Sequence, residues 1–245
     1  MLPADEGELL HGPAAHHTTS IVGWRAAHRE PDFGALGDRR LHLGLLPVPF
    51  VGDLRRASVY ILLLNPGLGA TDYFGEYEVP AFRRASLQNL KQQPRRRYPF
   101  FVLDPQFAWH GGFQWWNQKL SAVIAVLADR WNVSFAEARQ RLAQKLACIE
   151  LLPYHSTSFA DRGHWRERLP SVALAKSFVA SHVLPRVRAG KAIVIVTRQA
   201  RQWSVSPGRG VVLYSGGHAR GAHLTPGSLG GRAILKHLLG VDARI

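Results

Sequence analysis

An apolar run at residues 59–64, Val-Tyr-Ile-Leu-Leu-Leu, constrains the fold of this chain more than any other feature of the sequence. Continuous apolar runs of this length are typical of strands that are buried on both faces of a parallel sheet. The run ends at Asn65, Pro66 and Gly67, a combination that forces the chain to turn. Asn65 therefore stands at the carboxyl end of a predicted strand, the edge at which open α/β sheets bind ligands. Asn-Pro-Gly is also a common turn former, so a purely structural turn is the alternative.

The rest of the chain alternates predicted strands with predicted helices, a pattern that favours a mostly parallel sheet with helices on both faces. Further strands are predicted at residues 147–152, 192–197 and 211–214, and residues 100–103 form either a strand or a loop edge. Helices are predicted at residues 80–92, 115–131, 134–146, 169–188, 199–203 and 228–239. We therefore predict a three-layer α/β/α fold around four or five strands. One domain spans residues 1–245, with residues 1–55 packed on its core.

The charge balance indicates a polyanionic partner. The chain carries 31 Lys and Arg against 17 Asp and Glu, a formal net charge of +14. A chain this basic attracts polyanions, of which nucleic acid is the commonest. The alternative is an Arg-rich proteome, because Arg outnumbers Lys and the excess is spread along the chain. We expect DNA as the partner, single- or double-stranded, and a monomeric protein.

Cysteine usage and hydropathy limit the location and the cofactors. Cys148 is the only cysteine, which excludes intramolecular disulfides, Cys-cluster zinc sites and an iron–sulfur cluster held by four thiolates of one chain. Residues 1–20 are polar and do not resemble a signal peptide. No apolar stretch approaches the roughly 18 residues of a membrane span. We expect a cytoplasmic protein with no membrane association.

Polar residues follow several predicted strands and should converge at one sheet edge. Asn65 follows the first strand, residues 153–156 (Pro-Tyr-His-Ser) another, and residues 197–199 (Thr-Arg-Gln) a third. The last strand leads into a Gly-, His- and Arg-rich loop at residues 215–228. Its glycines let the backbone approach phosphates, its basic side chains neutralise them, and the free amides at the helix start near Ser228 add an anion site. The alternative is a flexible surface loop.

The order and spacing of these segments resemble the uracil-DNA glycosylase superfamily. Leu-Asn-Pro-Gly-Leu at residues 64–68 resembles the first motif of its mismatch-specific branch. Residues 86–90 are similar to the helix segment that contacts DNA phosphate, and residues 194–200 match the penultimate strand and turn. His-Ala-Arg at residues 218–220, followed by Leu224, resembles the second active-site motif and its minor-groove wedge. The resemblance implies hydrolysis of the N-glycosidic bond of an extruded base, with no metal or other cofactor.

Roles for individual residues follow from this resemblance. Asn65 would orient the attacking water through its amide oxygen, although an amide is not a strong general base. His218 would stabilise the leaving base or its phosphate surroundings. Tyr77 lies at the spacing from Asn65 that the resemblance implies for the ring that stacks on the base, with Phe74 and Tyr73 as competitors. Pro66 and Gly67 would line the base pocket.

Glu150 departs from the family pattern. Uracil-specific members have an Asn near the end of this strand, which reads the Watson–Crick edge of the base. An ionised carboxylate donates no hydrogen bond and would repel a uracil carbonyl, but it could accept from an exocyclic amine. Burial could raise the pKa of Glu150 and restore a donor. His155 could contribute to base binding instead.

Three functions stay open from the sequence: a DNA glycosylase with altered base preference, a catalytically inactive nucleic-acid-binding protein of the same fold, and an α/β enzyme acting on a nucleotide or another small phosphorylated ligand. Contacts to several phosphates would make affinity fall steeply with salt in the first two cases. The predicted DNA contacts are Ser86, Asn89, Arg95, Arg96, Arg97, Arg198, Arg220 and, as the wedge, Leu224.

Overall fold

A five-stranded sheet forms the centre of the molecule. The computed structural model describes residues 1–13, 15–18, 40–93, 97–158, 164–221 and 223–240, without the side chains of residues 16, 218 and 220. The strand order is β1-β3-β2-β4-β5. β1 is antiparallel to β3, whereas all other neighbours are parallel. The strands are β1 (Phe50–Gly52), β2 (Val59–Leu63), β3 (Leu146–Glu150), β4 (Ile193–Val196) and β5 (Val211–Leu213).

Helices cover both faces of the sheet, which confirms the predicted three-layer α/β/α fold. The helices are α1 (Ala70–Glu78), α2 (Pro80–Leu90), α3 (Gly111–Trp131), α4 (Phe135–Ala143), α5 (Trp165–Arg168), α6 (Pro170–Phe178), α7 (Leu184–Arg188), α8 (Ala200–Trp203), α9 (Gly216–Gly221) and α10 (Leu229–Leu239). A π-helical turn, Val179–Val183, joins α6 to α7. No helix in the described ranges is long and apolar enough to cross a bilayer.

Ser134 caps α4, because its Oγ accepts a hydrogen bond from the Glu137 amide and the helix begins at the next residue. Residues 100–103 form no strand. Phe101–Leu103 is a short 3-10 turn whose three side chains are buried in the core.

The β2 strand shows why the apolar run folds as it does. All five of its residues are buried. Because side chains alternate across a strand, Val59, Ile61 and Leu63 join the core beneath α2, α3, α4 and α10, whereas Tyr60 and Leu62 join the core on the opposite face. Complete burial of such side chains contributes roughly 1.5–3 kcal/mol each, so β2 fixes both layers.

The N-terminal residues contact the second of these cores. Leu9 is completely buried there. Asp5 is also completely buried, and its two oxygens accept hydrogen bonds from the Tyr154 hydroxyl at 2.7 Å and from the Ser171 amide at 2.9 Å. The second bond satisfies an amide in the first turn of α6, so Asp5 anchors the N-terminal segment to the start of that helix.

The order of the parallel strands determines where a crevice opens. From β2 the chain crosses to β3 on one side and then returns to β4 on the other side. This reversal produces a switch point at the carboxyl ends of β2 and β4, the position at which doubly wound sheets bind ligands. Asn65 follows β2 and Arg198 follows β4.

Candidate active site

A cavity of about 470 Å³ occupies this crevice, in the size range of small-molecule sites. Three strand ends contribute Asn65, Glu150 and Arg198 to its lining. Pro66, Gly67, Asp72, Glu76, His110 and His155 also line it. The predicted convergence of polar groups at the carboxyl edge of the sheet therefore holds for β2, β3 and β4.

The amide of Asn65 is held in one orientation. Its Nδ2 donates to the backbone oxygens of Pro66 at 3.0 Å and Tyr154 at 3.3 Å and to Ser156 Oγ at 2.9 Å. These acceptors identify the nitrogen of the amide and therefore also its oxygen. No described residue donates to Oδ1, and Asn65 is half-buried at the cavity wall. Oδ1 is thus a fixed acceptor available to a bound water or ligand.

His155 is held by the loop that follows β2. Its Nδ1 lies 2.7 Å from the backbone oxygen of Gly67. Because a carbonyl oxygen only accepts, Nδ1 must carry the hydrogen. The Ser156 amide donates to the Pro66 oxygen at 3.3 Å, and Gly67 forms a parallel bridge with Ser156. The loops after β2 and β3 are therefore joined by hydrogen bonds at the cavity wall.

Asp72 on α1 faces two histidines across the cavity wall. Its Oδ1 lies 3.5 Å from His110 Nε2 and 3.9 Å from His155 Nδ1, and its Oδ2 accepts from the Gly69 amide at 2.7 Å. His110 Nδ1 accepts from the Gly112 amide at 2.9 Å, so Nε2 carries the hydrogen of the neutral ring. Burial lowers the pKa of His110, although Asp72 opposes this effect. His110 Nε2 therefore carries a buried hydrogen that no described residue accepts, with Asp72 Oδ1 as a nearby carboxylate oxygen.

Glu76 lies one helical turn after Asp72. Both of its carboxylate oxygens accept from the Leu46 amide, at 2.8 and 3.0 Å. Burial raises the pKa of Glu76, whereas the Leu46 hydrogen bond and His155 oppose the increase. Glu76 therefore ties the segment before β1 to the cavity wall and places a second carboxyl group near His155.

Glu150 is the most deeply buried carboxyl group of the cavity. The residue is 5 % exposed, and its Oε2 has no hydrogen-bond partner among the described residues. Burial raises the pKa of Glu150 to about 8, with Arg198 opposing the increase. The group is therefore mostly protonated at neutral pH and has a hydroxyl donor beside a carbonyl acceptor. A buried polar atom without a partner is costly, so Oε2 favours a ligand that satisfies it.

The aromatic rings of the cavity differ from those that the sequence indicated. Tyr77 does not line the cavity; its hydroxyl donates to the Gly44 oxygen and its ring stacks on Tyr73. Phe74 also lies outside the lining, 42 % exposed against Trp109. The α1 helix turns these rings away while Asp72 and Glu76, four residues apart, face the cavity. The rings that line it are Phe82, Phe101, Trp115 and Trp116.

The predicted DNA contacts fall into several environments. Ser86 and Arg198 line the cavity, and Arg198 is exposed. Arg97 is exposed but lies away from the cavity, bonded to Gln140 at 3.1 Å. Arg95 and Arg96 lie outside the described residues, as do the side chains of His218 and Arg220.

Two of these predicted contacts occupy structural positions instead. Asn89 is 4 % exposed, and its amide bonds the backbone of Gly52 and Phe50 at 2.9 and 2.8 Å. Leu224 is 1 % exposed in the core, whereas a minor-groove wedge must be exposed.

The expected anion site at the start of α10 is also occupied by the protein itself. The Gly230 amide donates to the Tyr214 hydroxyl and the Gly231 amide to Ser228 Oγ. Two of the amides that would hold a phosphate there are therefore already bonded.

Sequence reasoning missed Asp72, Glu76 and His110. The spacing of Asp72 and Glu76 would place both on one helix face, but helix α1 itself was not predicted. His110 reaches the cavity through the packing of the turn before α3 on α1 and α2. Within the described ranges, no group of three His, Cys, Asp or Glu side chains is arranged to hold a metal ion.

Comparisons of the chain with protein-family models, with curated proteins and with solved structures return no match.

Proposed function

We propose that the protein binds DNA, accepts an extruded nucleobase in the cavity, and hydrolyses its N-glycosidic bond with a water oriented by Asn65. The observation that carries this proposal is the fixed amide of Asn65. The two hydrogens of Nδ2 are shared among three acceptors, which leaves Oδ1 as an acceptor at the carboxyl edge of the sheet, where the attacking water would sit. Orientation of a nucleophile is a major source of rate acceleration, because it replaces a bimolecular encounter with a fixed geometry.

The base preference depends on the proton of Glu150. A neutral carboxyl group accepts a hydrogen bond at one oxygen and donates from the other, as a primary amide does with its oxygen and nitrogen. This pair complements a ring N–H beside a carbonyl, which uracil, thymine, hypoxanthine and xanthine share. The raised pKa of about 8 therefore supports bases of this type over ethenocytosine, which lacks that edge.

The charges of the cavity disfavour an enzyme that acts on a small phosphorylated ligand. Asp72 and Glu76 line the cavity, Glu150 beside them is mostly protonated at neutral pH, and Arg198 is the one Lys or Arg among the described lining residues. An ionised carboxylate such as that of Asp72 would repel a phosphate held beside it. A phosphate is expected outside the cavity, in a DNA backbone, rather than within it.

The test is base release from single- and double-stranded oligonucleotides that each contain one uracil, hypoxanthine, xanthine, ethenocytosine or mismatched thymine. We expect release from a substrate with the N–H and carbonyl edge, and a loss of about 10²-fold or more in Asn65→Ala with DNA affinity retained. Asn117→Ala is the matched control, because this amide lies on α3 outside the cavity lining.

Equal activity of Asn65→Ala and the wild type would overturn the role of Asn65. If no substrate releases a base while salt-sensitive binding persists, the protein is a nucleic-acid-binding protein without this catalysis.

A further inference from the structure

We infer that His155 is the general base of this reaction, accepting at Nε2 the proton of the water that Asn65 Oδ1 orients. The inference rests on the proposed function, because it concerns the same water in the same cavity. His155 would supply the proton acceptor that Asn65 lacks, since an amide oxygen can orient a water but cannot take its proton at neutral pH.

The tautomer of His155 leaves the required lone pair. Its Nδ1 donates to the Gly67 oxygen, so Nε2 of the neutral ring carries no hydrogen. None of the described residues bonds Nε2, and His155 lines the cavity. A ring fixed at one nitrogen with the other bare is the arrangement that a histidine base requires.

The second cavity histidine provides a comparison, because its tautomer is the opposite one. His110 accepts at Nδ1 from the Gly112 amide, so its Nε2 carries the hydrogen that faces Asp72. Protonation at Nδ1 would break the bond to Gly112, which caps α3. Only His155 of these two rings can therefore accept a proton without losing an existing hydrogen bond.

The two loops place His155 and Asn65 on one wall. Asn65 Nδ2 donates to the hydroxyl of Ser156, the residue after His155, and to the oxygen of Tyr154, the residue before it. His155 in turn holds Gly67, two residues after Asn65. A shift of either side chain would therefore disturb the other, which keeps the orienting oxygen and the base in a constant relation.

Several titratable groups face His155. Asp72 and Glu76 on α1 are the carboxyl groups that face it, with Asp72 Oδ1 3.9 Å from Nδ1. His110 also faces it, but burial keeps that ring neutral. His42 pairs with His155 through the backbone, and its Nδ1 lies 3.0 Å from the Tyr73 hydroxyl. The imidazolium would thus form beside acidic groups, which stabilise it.

The proton and electron balance is complete without a further reactant. The water oxygen bonds to the anomeric carbon, the bond from this carbon to the base nitrogen breaks, and its electron pair leaves with the base. The water proton passes to His155 Nε2, and the imidazolium later returns it to the departing base or to solvent.

The experiment compares His155→Asn with His110→Asn in single-turnover base release between pH 5 and 9. The amide that His155→Asn introduces can still donate to Gly67 from near the Nδ1 position, so the loop is preserved while Nε2 is removed. We expect His155→Asn to lower the rate about 10²- to 10³-fold with oligonucleotide affinity unchanged. The wild-type rate should fall towards acidic pH, because protonation removes the lone pair of His155 Nε2, and this acidic limb should disappear in His155→Asn but persist in His110→Asn.

Nitrogen chemical shifts of the His155 ring give a readout that does not depend on activity. We expect a protonated Nδ1 and a bare Nε2, and the reverse tautomer would overturn the inference. An active His155→Asn that keeps its acidic limb would overturn the role of His155 while leaving the proposed function intact. A wild type that releases no base would overturn both.

Discussion

The molecule as a whole and the lining of its cavity differ in charge. The whole chain has a formal net charge of +14, whereas the cavity is lined by Asp72 and Glu76, by the mostly protonated Glu150, and by Arg198 as the one Lys or Arg among its described lining residues. The net charge of the chain therefore governs which partner is attracted, whereas the charges of the cavity govern which part of that partner can enter. In the proposed function, the basic chain attracts the polyanion and the carboxylates of the cavity disfavour its phosphates there, so an uncharged base would be the part that enters.

The same contrast has a consequence for the proposed reaction. Glycosidic bond cleavage develops positive charge on the sugar. Fixed carboxylates in a partly buried site stabilise that charge far more than they would in water, because the effective dielectric constant is lower there. Of the cavity carboxyl groups, Asp72 is the best placed to do so, since it accepts from the Gly69 amide and faces His110 and His155.

The largest expected effect is that of salt, which should weaken DNA binding to the exterior of the protein and leave nucleoside binding in the cavity nearly unchanged. If six or more phosphates are contacted, DNA affinity should fall about 10³-fold between 50 and 200 mM salt, because bound counterions are released. Binding of an uncharged nucleoside in the cavity should change less than about twofold over that range. Fluorescence anisotropy for the oligonucleotide and calorimetry for the nucleoside measure the two, and equal salt dependence would contradict the separation.

The next prediction compares a carboxylate that lines the cavity with one on the protein surface. Asp72→Asn should lower base release about 10²-fold, since it removes the charge that faces both histidines, while leaving DNA affinity within about twofold. Glu137→Gln is the matched control, because Glu137 pairs with Arg141 on the exposed side of α4. Similar rates for the two variants would show that the location of the carboxylate does not matter.

A smaller effect concerns the proton of Glu150. Its pKa is raised from 4.5 to about 8 in the folded protein, so between these values the unfolded chain releases the proton first. Glu150 should therefore lower the free energy of unfolding by up to about 1.4 kcal/mol for each pH unit between pH 4.5 and 8. This contribution to stability is complete below pH 4.5 and is lost as pH rises through 8.

Glu150→Gln cannot ionise and should remove this component. Urea unfolding at pH 5 and pH 8.5 should show that the variant gains stability relative to the wild type at the higher pH. A stability difference that is the same at both pH values would contradict the raised pKa.

The sequence predicted the elements that depend on local patterns. The β2 strand and the position of Asn65 follow from an uninterrupted apolar run and the turn after it, and Ser134 has the chemistry of a helix cap. Helix α1 was not predicted, because its buried residues, Tyr73, Gly75 and Glu76, form no apolar stripe.

The cavity required knowledge of tertiary packing. Tyr77 was selected by its distance along the chain from Asn65, but the rotation of α1 decides which side chains face inward, and it directs Tyr77 to Gly44. His110 and His155 are separated by many residues and meet only because both pack beside Asp72. Periodicity in one sequence contains no record of such contacts.

The amide groups on α2 and just after it have a further consequence for the protein at high concentration. Asn89 bonds Phe50 and Gly52 of β1, and Gln92 bonds Gly52 and Leu54 at 3.0 Å each. These side chains imitate a neighbouring strand along the edge strand of the sheet. An unprotected edge of this kind is a template for strand addition and aggregation. Two amides, three residues apart, thus keep the backbone of β1 from recruiting a second chain.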